Sequence, residues 1–133
     1  MKPFHLTIVT PYGKIYDGQA ESLTVRTIDG DVGILAGHTD YVTALGMGLA
    51  KVTIDGVPRR AACIGGMLSV SAGDVTLVAT TFEWAENIDT ARAERSAARA
   101  QAVLDNRSSH TSEEIALAEA RLKRALVRTG AAK

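Results

Sequence analysis

The stretch Ile88-Asp89-Thr90-Ala91-Arg92-Ala93 marks the point where this 133-residue chain changes its pattern. Before it, short apolar runs alternate with polar residues and are broken by glycines. After it, two segments are dense in Ala, Arg, Glu and Leu. Period-two alternation reads as strands and a 3.6-residue period as helices. The expected fold is therefore an N-terminal antiparallel β-sandwich or flattened barrel over residues 1–86, followed by a C-terminal antiparallel helical hairpin over residues 87–133.

Working upstream, Phe4 to Val9 alternates and ends at Pro11-Tyr12-Gly13, a strand and a turn. Lys14 to Asp17 is a short strand closed by Gly18. Leu23, Val25 and Thr27 alternate up to the turn Asp29-Gly30-Asp31, and Val32 to Leu35 follows. Gly37 to Asp40 reads as a loop. Leu49 to Ile54 and Arg59 to Ile64 flank Asp55-Gly56, after which Gly65-Gly66 punctuates. Met67 to Val70 and Val75 to Ala79 are joined by Ala72-Gly73-Asp74. No helix separates these strands, so a parallel sheet is not expected.

Downstream, one helix is expected from about Ile88 to about Leu104 with Asn87 as its cap. Thr111 and Glu114 stand in capping-box spacing and open a second helix. Its apolar stripe is Ile115, Ala118, Leu122 and Ala125, with Leu126 alongside. Residues 130–133 read as a stop that frays. The first helix offers mostly alanine to the seam, and an alanine methyl buries far less than the ~1.5–3 kcal/mol of a leucine. High helix propensity would keep the segments helical when separated. A detachable switch and a static appendage both fit this pattern.

Charge is balanced overall at 15 basic and 15 acidic residues, yet unevenly placed. Residues 1–87 hold six Lys or Arg against nine Asp or Glu, and residues 88–133 hold nine against six. A basic tail on an acidic body points to an acidic partner: protein, nucleotide or nucleic acid. The tail lacks interleaved aromatics, which removes the stacking platform that nucleic acid uses. Cys63 is the single cysteine, excludes an internal disulfide and reads as a small buried apolar residue. No apolar signal core and no run near ~20 apolar residues is found. A cytosolic protein without direct membrane insertion is expected, any membrane link running through a partner.

On helix one, Asp89, Arg92 and Arg99 fall on one face, and Arg124 and Arg128 share a face of helix two. Antiparallel packing would let these arginines converge, with Glu83 just ahead of the first helix. Such a cluster suits a triphosphate, because guanidinium groups contact phosphate oxygens bidentately. Solvated charges and surface ion pairs explain the same residues. His5, His38 and His110 match no metal spacing, and neither a nucleophile triad nor a phosphate loop is present. No catalytic residue is expected.

Three segments carry a resemblance. Gly33-Ile34-Leu35-Ala36-Gly37-His38, after Asp31-Val32, looks like a Gly-Ile-Leu-Pro-Gly-His loop. Gly65-Gly66-Met67-Leu68-Ser69-Val70 looks like a Gly-Gly-x-Leu-x-Val strand. Ile88 to Ala93 fits an Ile/Leu-Asp-x-x-Arg-Ala nucleotide motif. In this order, over essentially the whole chain, they resemble the epsilon subunit of bacterial F-type ATP synthase. The resemblance implies a non-catalytic central-stalk subunit that couples proton transport to ATP synthesis, bound to the gamma subunit and the c-ring. It implies a peripheral position on the cytoplasmic face of the bacterial cell membrane. It also implies that the hairpin, when extended toward the catalytic alpha and beta subunits, inhibits ATP hydrolysis. It implies no required cofactor, with ATP a regulatory ligand of the folded hairpin in some bacterial members of the family. The implied ATP contacts are Glu83, Asp89, Arg92 and Arg99, and Lys123-Arg124-Ala125-Leu126-Val127-Arg128 adds Arg124 and Arg128. Asp29 and Asp31 would face the c-ring, and His38 lies in a partner-binding loop. Ala36 and Asp40 stand where the family commonly has proline, so that loop lacks proline's restraint. A purely structural coupling subunit, its hairpin permanently docked, is the alternative.

Overall fold

The computed structural model describes residues 2–132. Eight strands come first: β1 (Phe4–Thr10), β2 (Gly13–Ala20), β3 (Ser22–Thr27), β4 (Gly30–Ile34), β5 (Tyr41–Ala44), β6 (Met47–Ile54), β7 (Val57–Ser71) and β8 (Asp74–Trp84). A 3₁₀ turn, Ala85–Asn87, leads to helix α1 (Thr90–Asp105), and helix α2 (Ser112–Ala132) follows. The strands pair in the order β2-β1-β8-β7-β6-β3-β4, with β5 added on β7. This one sheet wraps around a single core that includes Leu6, Ile8, Leu23, Val25, Val52, Leu68 and Leu77. It does not close, since β2 and β4 end the path.

Four strand expectations are corrected. β2 continues through Gly18, which pairs opposite Leu6, to Ala20. β5 was unforeseen. One pairing is parallel, β1 on β8, with Leu6 opposite Val75. The remaining correction is the diglycine, which does not end a strand. β7 runs through it, pairing with β6 up to Ile64 and with β5 from Met67. Gly66 sits at φ 110°, and a Cβ there would lie 1.9 Å from the Val78 carbonyl oxygen. Glycine is thus required for the strand to pass from one partner to the next against β8.

The turns are chosen by backbone sign. Asp55-Gly56 has φ of 51° and 77°, and Ala72-Gly73 has 51° and 85°, the two left-handed positions of a tight hairpin turn. Alanine tolerates that region poorly. The Ala72 amide is tethered by the Asp40 carboxylate at 2.9 Å.

The helices follow the change of period with adjusted ends. Asp89, not Asn87, caps α1, because the 3₁₀ turn takes up residues 85–87. The expected capping box of α2 is present: Thr111 Oγ1 accepts from Glu114 N–H at 3.2 Å, and Glu114 Oε1 accepts from Thr111 N–H at 3.3 Å. Buried positions are Ala93 and Ala100 in α1 and Ala118, Ala125 and Ala131 in α2. The buried side chains within the two helices are therefore all alanines. Leu126, expected alongside the stripe, is exposed. The tail does not stop at Gly130. Ala131 is buried with Ala62 and Ile88, and Arg60 donates to the Gly130 carbonyl at 2.9 Å. Lys133 lies outside the described residues.

Two substitutions should move stability in opposite directions. Gly66→Ala should lower the unfolding free energy by more than about 2 kcal/mol. Ala72→Gly should raise it by about 0.5–1 kcal/mol, since it relieves a left-handed alanine. Urea unfolding midpoints, at unchanged slope, check both.

Candidate functional site

Alternation along β8 sends neighbouring side chains to opposite faces. Trp84 turns inward, edge-on to Phe82 at 5.0 Å between centroids, with the Arg59 guanidinium 3.8 Å from its ring. Glu83 turns outward, toward α2. There Arg128 Nε donates to Glu83 Oε1 at 2.6 Å, joining the last strand to the last helix. Both side chains are about one-third exposed, 37% and 31%, so solvent weakens the pair without removing it.

Asp89 has a structural task. Its Oδ1 accepts from Arg92 N–H at 3.0 Å and caps α1, leaving its other oxygen uncommitted to the cap. Glu83, Asn87, Ile88, Asp89, Arg92 and Arg128 line one cleft of about 270 Å³. Ligand pockets run from about 300 Å³ upward, so this cleft would enclose part of a nucleotide rather than all of it. Two guanidiniums and two carboxylates on three elements can take phosphate oxygens and accept from amino or hydroxyl groups.

Four of the six residues expected at this site thus come together: Glu83, Asp89, Arg92 and Arg128. Arg99 and Arg124 do not line this cleft. Arg99 is two turns, roughly 10 Å, beyond Arg92 and lines a gap between the helices with Ser96, Glu114 and Arg121. Arg124 lies one turn before Arg128, and both border a groove over Thr80 and Thr81.

The expected partner residues lie elsewhere. Asp29 is exposed at the tip of the β3–β4 turn, its amide held by Thr27 Oγ1 at 3.1 Å. Asp31 pairs with Arg26 at 3.1 Å. His38 Nδ1–H donates to the Thr39 carbonyl at 2.7 Å, and its ring tilts against Tyr41. The bond that His38 donates and the one that Asp40 accepts from the Ala72 amide hold this loop. Cys63 is buried, and burial pushes its thiol up to about 12, far from a nucleophile's range. No cluster of metal-ligating side chains occurs among the described residues.

Two family models together match residues 3–133. Residues 3–85 match the beta-sandwich domain of the ATP synthase delta/epsilon chain, and residues 86–133 match its long alpha-helix domain. The chain belongs to the ATP synthase delta/epsilon chain family. Within it, the ATP synthase epsilon chain of Ruminococcus albus is 42% identical, over 99% of this chain and 98% of its own. That of Caldanaerobacter subterraneus is 39% identical, over 96% and 91%. The fold is also that of a chain in the Euglena gracilis mitochondrial ATP synthase, with a TM-score of 0.85 at 23% identity, covering 98% of this chain and 82% of that one.

The role of Arg59 has no local signal in the sequence. Its guanidinium covers Trp84 and pairs with Glu86, bracing the turn that launches α1. Val52 is its strand partner, and nothing local signals Trp84. The Trp84 ring therefore faces away from Glu83 and its cleft.

At the hairpin bend, His110 and then Thr111 hydrogen-bond Glu114 and hold its carboxyl below the ordinary value of 4.5. A depressed carboxyl stabilises the folded form above its ordinary value, and this contribution is lost as pH falls through the folded value. Carbon-detected titration of Glu114 should give a midpoint below 4.5, moving upward in His110→Ala.

Proposed function

We propose that this chain is the non-catalytic epsilon subunit of an F-type ATP synthase rotor, with its hairpin serving as a nucleotide-sensitive brake on ATP hydrolysis. Residues 87–133 act as the mobile unit and residues 1–86 as the base. The observation that carries this reading is the Glu83–Arg128 pair, because it crosses from β8 to α2 at the cleft that also holds Asp89 and Arg92. ATP in that cleft would bridge the base and both helices. Phosphate oxygens would take Arg92 and share Arg128 with Glu83, while the uncapped oxygen of Asp89 accepts from the base or ribose. Arg99 and Arg124 are the next cations on either side and would meet the part of the ligand outside the cleft.

A ligand shifts the hairpin only by its differential affinity for the docked state. The seam is suited to such a shift, since alanine burial contributes little. The released hairpin is basic and would be drawn to acidic surfaces on the catalytic alpha and beta subunits. For assembly, Val42, Met67 and Val78 are exposed, and Met67 is the direct strand partner of Val78. This apolar patch suits the gamma subunit. Asp29 and Asp31 at the β3–β4 turn suit a basic loop of the c-ring. No helix among the described residues is long and apolar enough to cross a membrane, and the proposed attachment, on the cytoplasmic face of the cell membrane, is peripheral through these partners.

One observation favours a second reading, that of a structural coupling subunit whose hairpin stays docked. The last turn of α2 is fixed, with Ala131 buried on Ala62 and Ile88 and Gly130 held by Arg60.

Titration calorimetry of the full chain separates these readings. Arg92→Ala and Arg128→Ala should each weaken ATP binding by at least about thirtyfold, or ~2 kcal/mol. Arg99→Ala and Arg124→Ala should weaken it less. Unchanged binding in the first pair rejects this cleft. In the assembled enzyme, deleting residues 88–133 should raise ATP hydrolysis, and an unaltered rate rejects the brake.

A further inference from the structure

A second cationic site lies on the outer face of the sheet, away from the cleft of Arg92. Lys51 on β6 and Arg60 on β7 are direct strand partners. Partners in register share a face, with Cβ atoms about 5 Å apart, and like charges placed so are destabilising. No ion-pair partner among the described residues offsets either one. Helix α2 brings a third cation, Lys123, to the same groove of about 1050 Å³. A fourth, Arg26, is laid along its floor. Its stem crosses Gly48, where a Cβ would come within 2.7 Å of it, and its head pairs with Asp31, the acid that lines the groove. Met47 and Leu49 are partly exposed apolar walls.

Residues 1–87 carry a net −3 (six basic, nine acidic), so the three cations Arg26, Lys51 and Arg60 on this body, joined by Lys123 of α2, stand out against their surroundings. They repel one another at a cost that a multiply charged anion would remove. We propose that this groove binds a phosphate-bearing anion and thereby clamps the hairpin. Three of its cations belong to the sheet and one to α2, so the complete site forms only when the hairpin is docked. By linkage its occupant favours docking, as a second effector independent of the cleft at Glu83. The chemistry is common to a soluble polyphosphate and to the headgroup of an anionic phospholipid.

The test uses the full chain, labelled for amide spectroscopy, with tripolyphosphate as one probe and phosphatidylglycerol vesicles as the other. Tripolyphosphate should give saturable shifts at residues 49–51, 60 and 123 that persist in Arg92→Ala. In the double variant Lys51→Gln/Lys123→Gln its affinity should fall about tenfold or more. Co-sedimentation with vesicles that is lost in the double variant, without saturable tripolyphosphate shifts, assigns the groove to a lipid headgroup instead. Shifts confined to residues 83–92 and 128, or binding of both probes unchanged in the double variant, overturns the proposal while leaving the nucleotide cleft standing. Failure of Arg92→Ala to weaken ATP binding rejects the cleft and leaves this groove untouched.

Discussion

The arrangement depends on how closely α2 can approach the sheet, and Ala62 sets that distance. On the outer face the strand partners run Leu49, Ala62, Glu83 across β6, β7 and β8. The middle position carries only a methyl group, and the last turn of α2 presses Ala131 onto it. A larger side chain there would hold the helix off, and Arg128 could no longer meet Glu83 at 2.6 Å. Small residues on both sides therefore give a close contact with little buried area. Contact of that kind fixes geometry well and contributes modest stability.

From that contact the rest is placed in sequence. α2 carries Arg128 to the cleft and Lys123 to the opposite groove, so one helix supplies a cation on each of its flanks. α1 packs on α2, and its buried positions are two alanines, Ala93 and Ala100. Its start is positioned through the chain itself, by the 3₁₀ turn braced by Arg59 and by the Asp89 cap. The site at residues 83–92 thus joins a rigid strand end to a helix start, and the second helix closes it.

Much of this was legible in the sequence, for local reasons. The shift from period two to period 3.6 near Ile88 gave the two halves, and the Thr111–Glu114 box gave the start of α2. Strand β5 was not legible, because its pattern is inverted: Thr43 is buried while Val42 is 63% exposed. The diglycine misled because its local meaning is a break, whereas pairing on both sides carries β7 through it. Arg99 illustrates another limit. Angular periodicity tells which face of a helix a residue occupies, but not how far along the axis the site lies. Arg99 shares the face of Arg92 yet stands beside Arg121 between the helices. The Lys51–Arg60 pairing follows from the two-residue turn at Asp55-Gly56, whereas the arrival of Lys123 from α2 beside it depends on tertiary packing that no local spacing reveals.

The parallel pairing of β1 with β8 has a consequence for the order in which the molecule is made. Of these eight strands β1 is made first, yet it finds one of its two neighbours only when residues 75–78 have been synthesised. Until then its inner residues, Leu6 and Ile8, lack their β8 neighbours Val75 and Leu77. Loop closure over this separation is slow compared with helix formation, which needs only near neighbours. The sandwich is therefore completed late, while the hairpin that follows it can coil as it emerges. The nascent chain must be shielded from association during that interval, and the exposed edge of β1 is the segment most in need of cover.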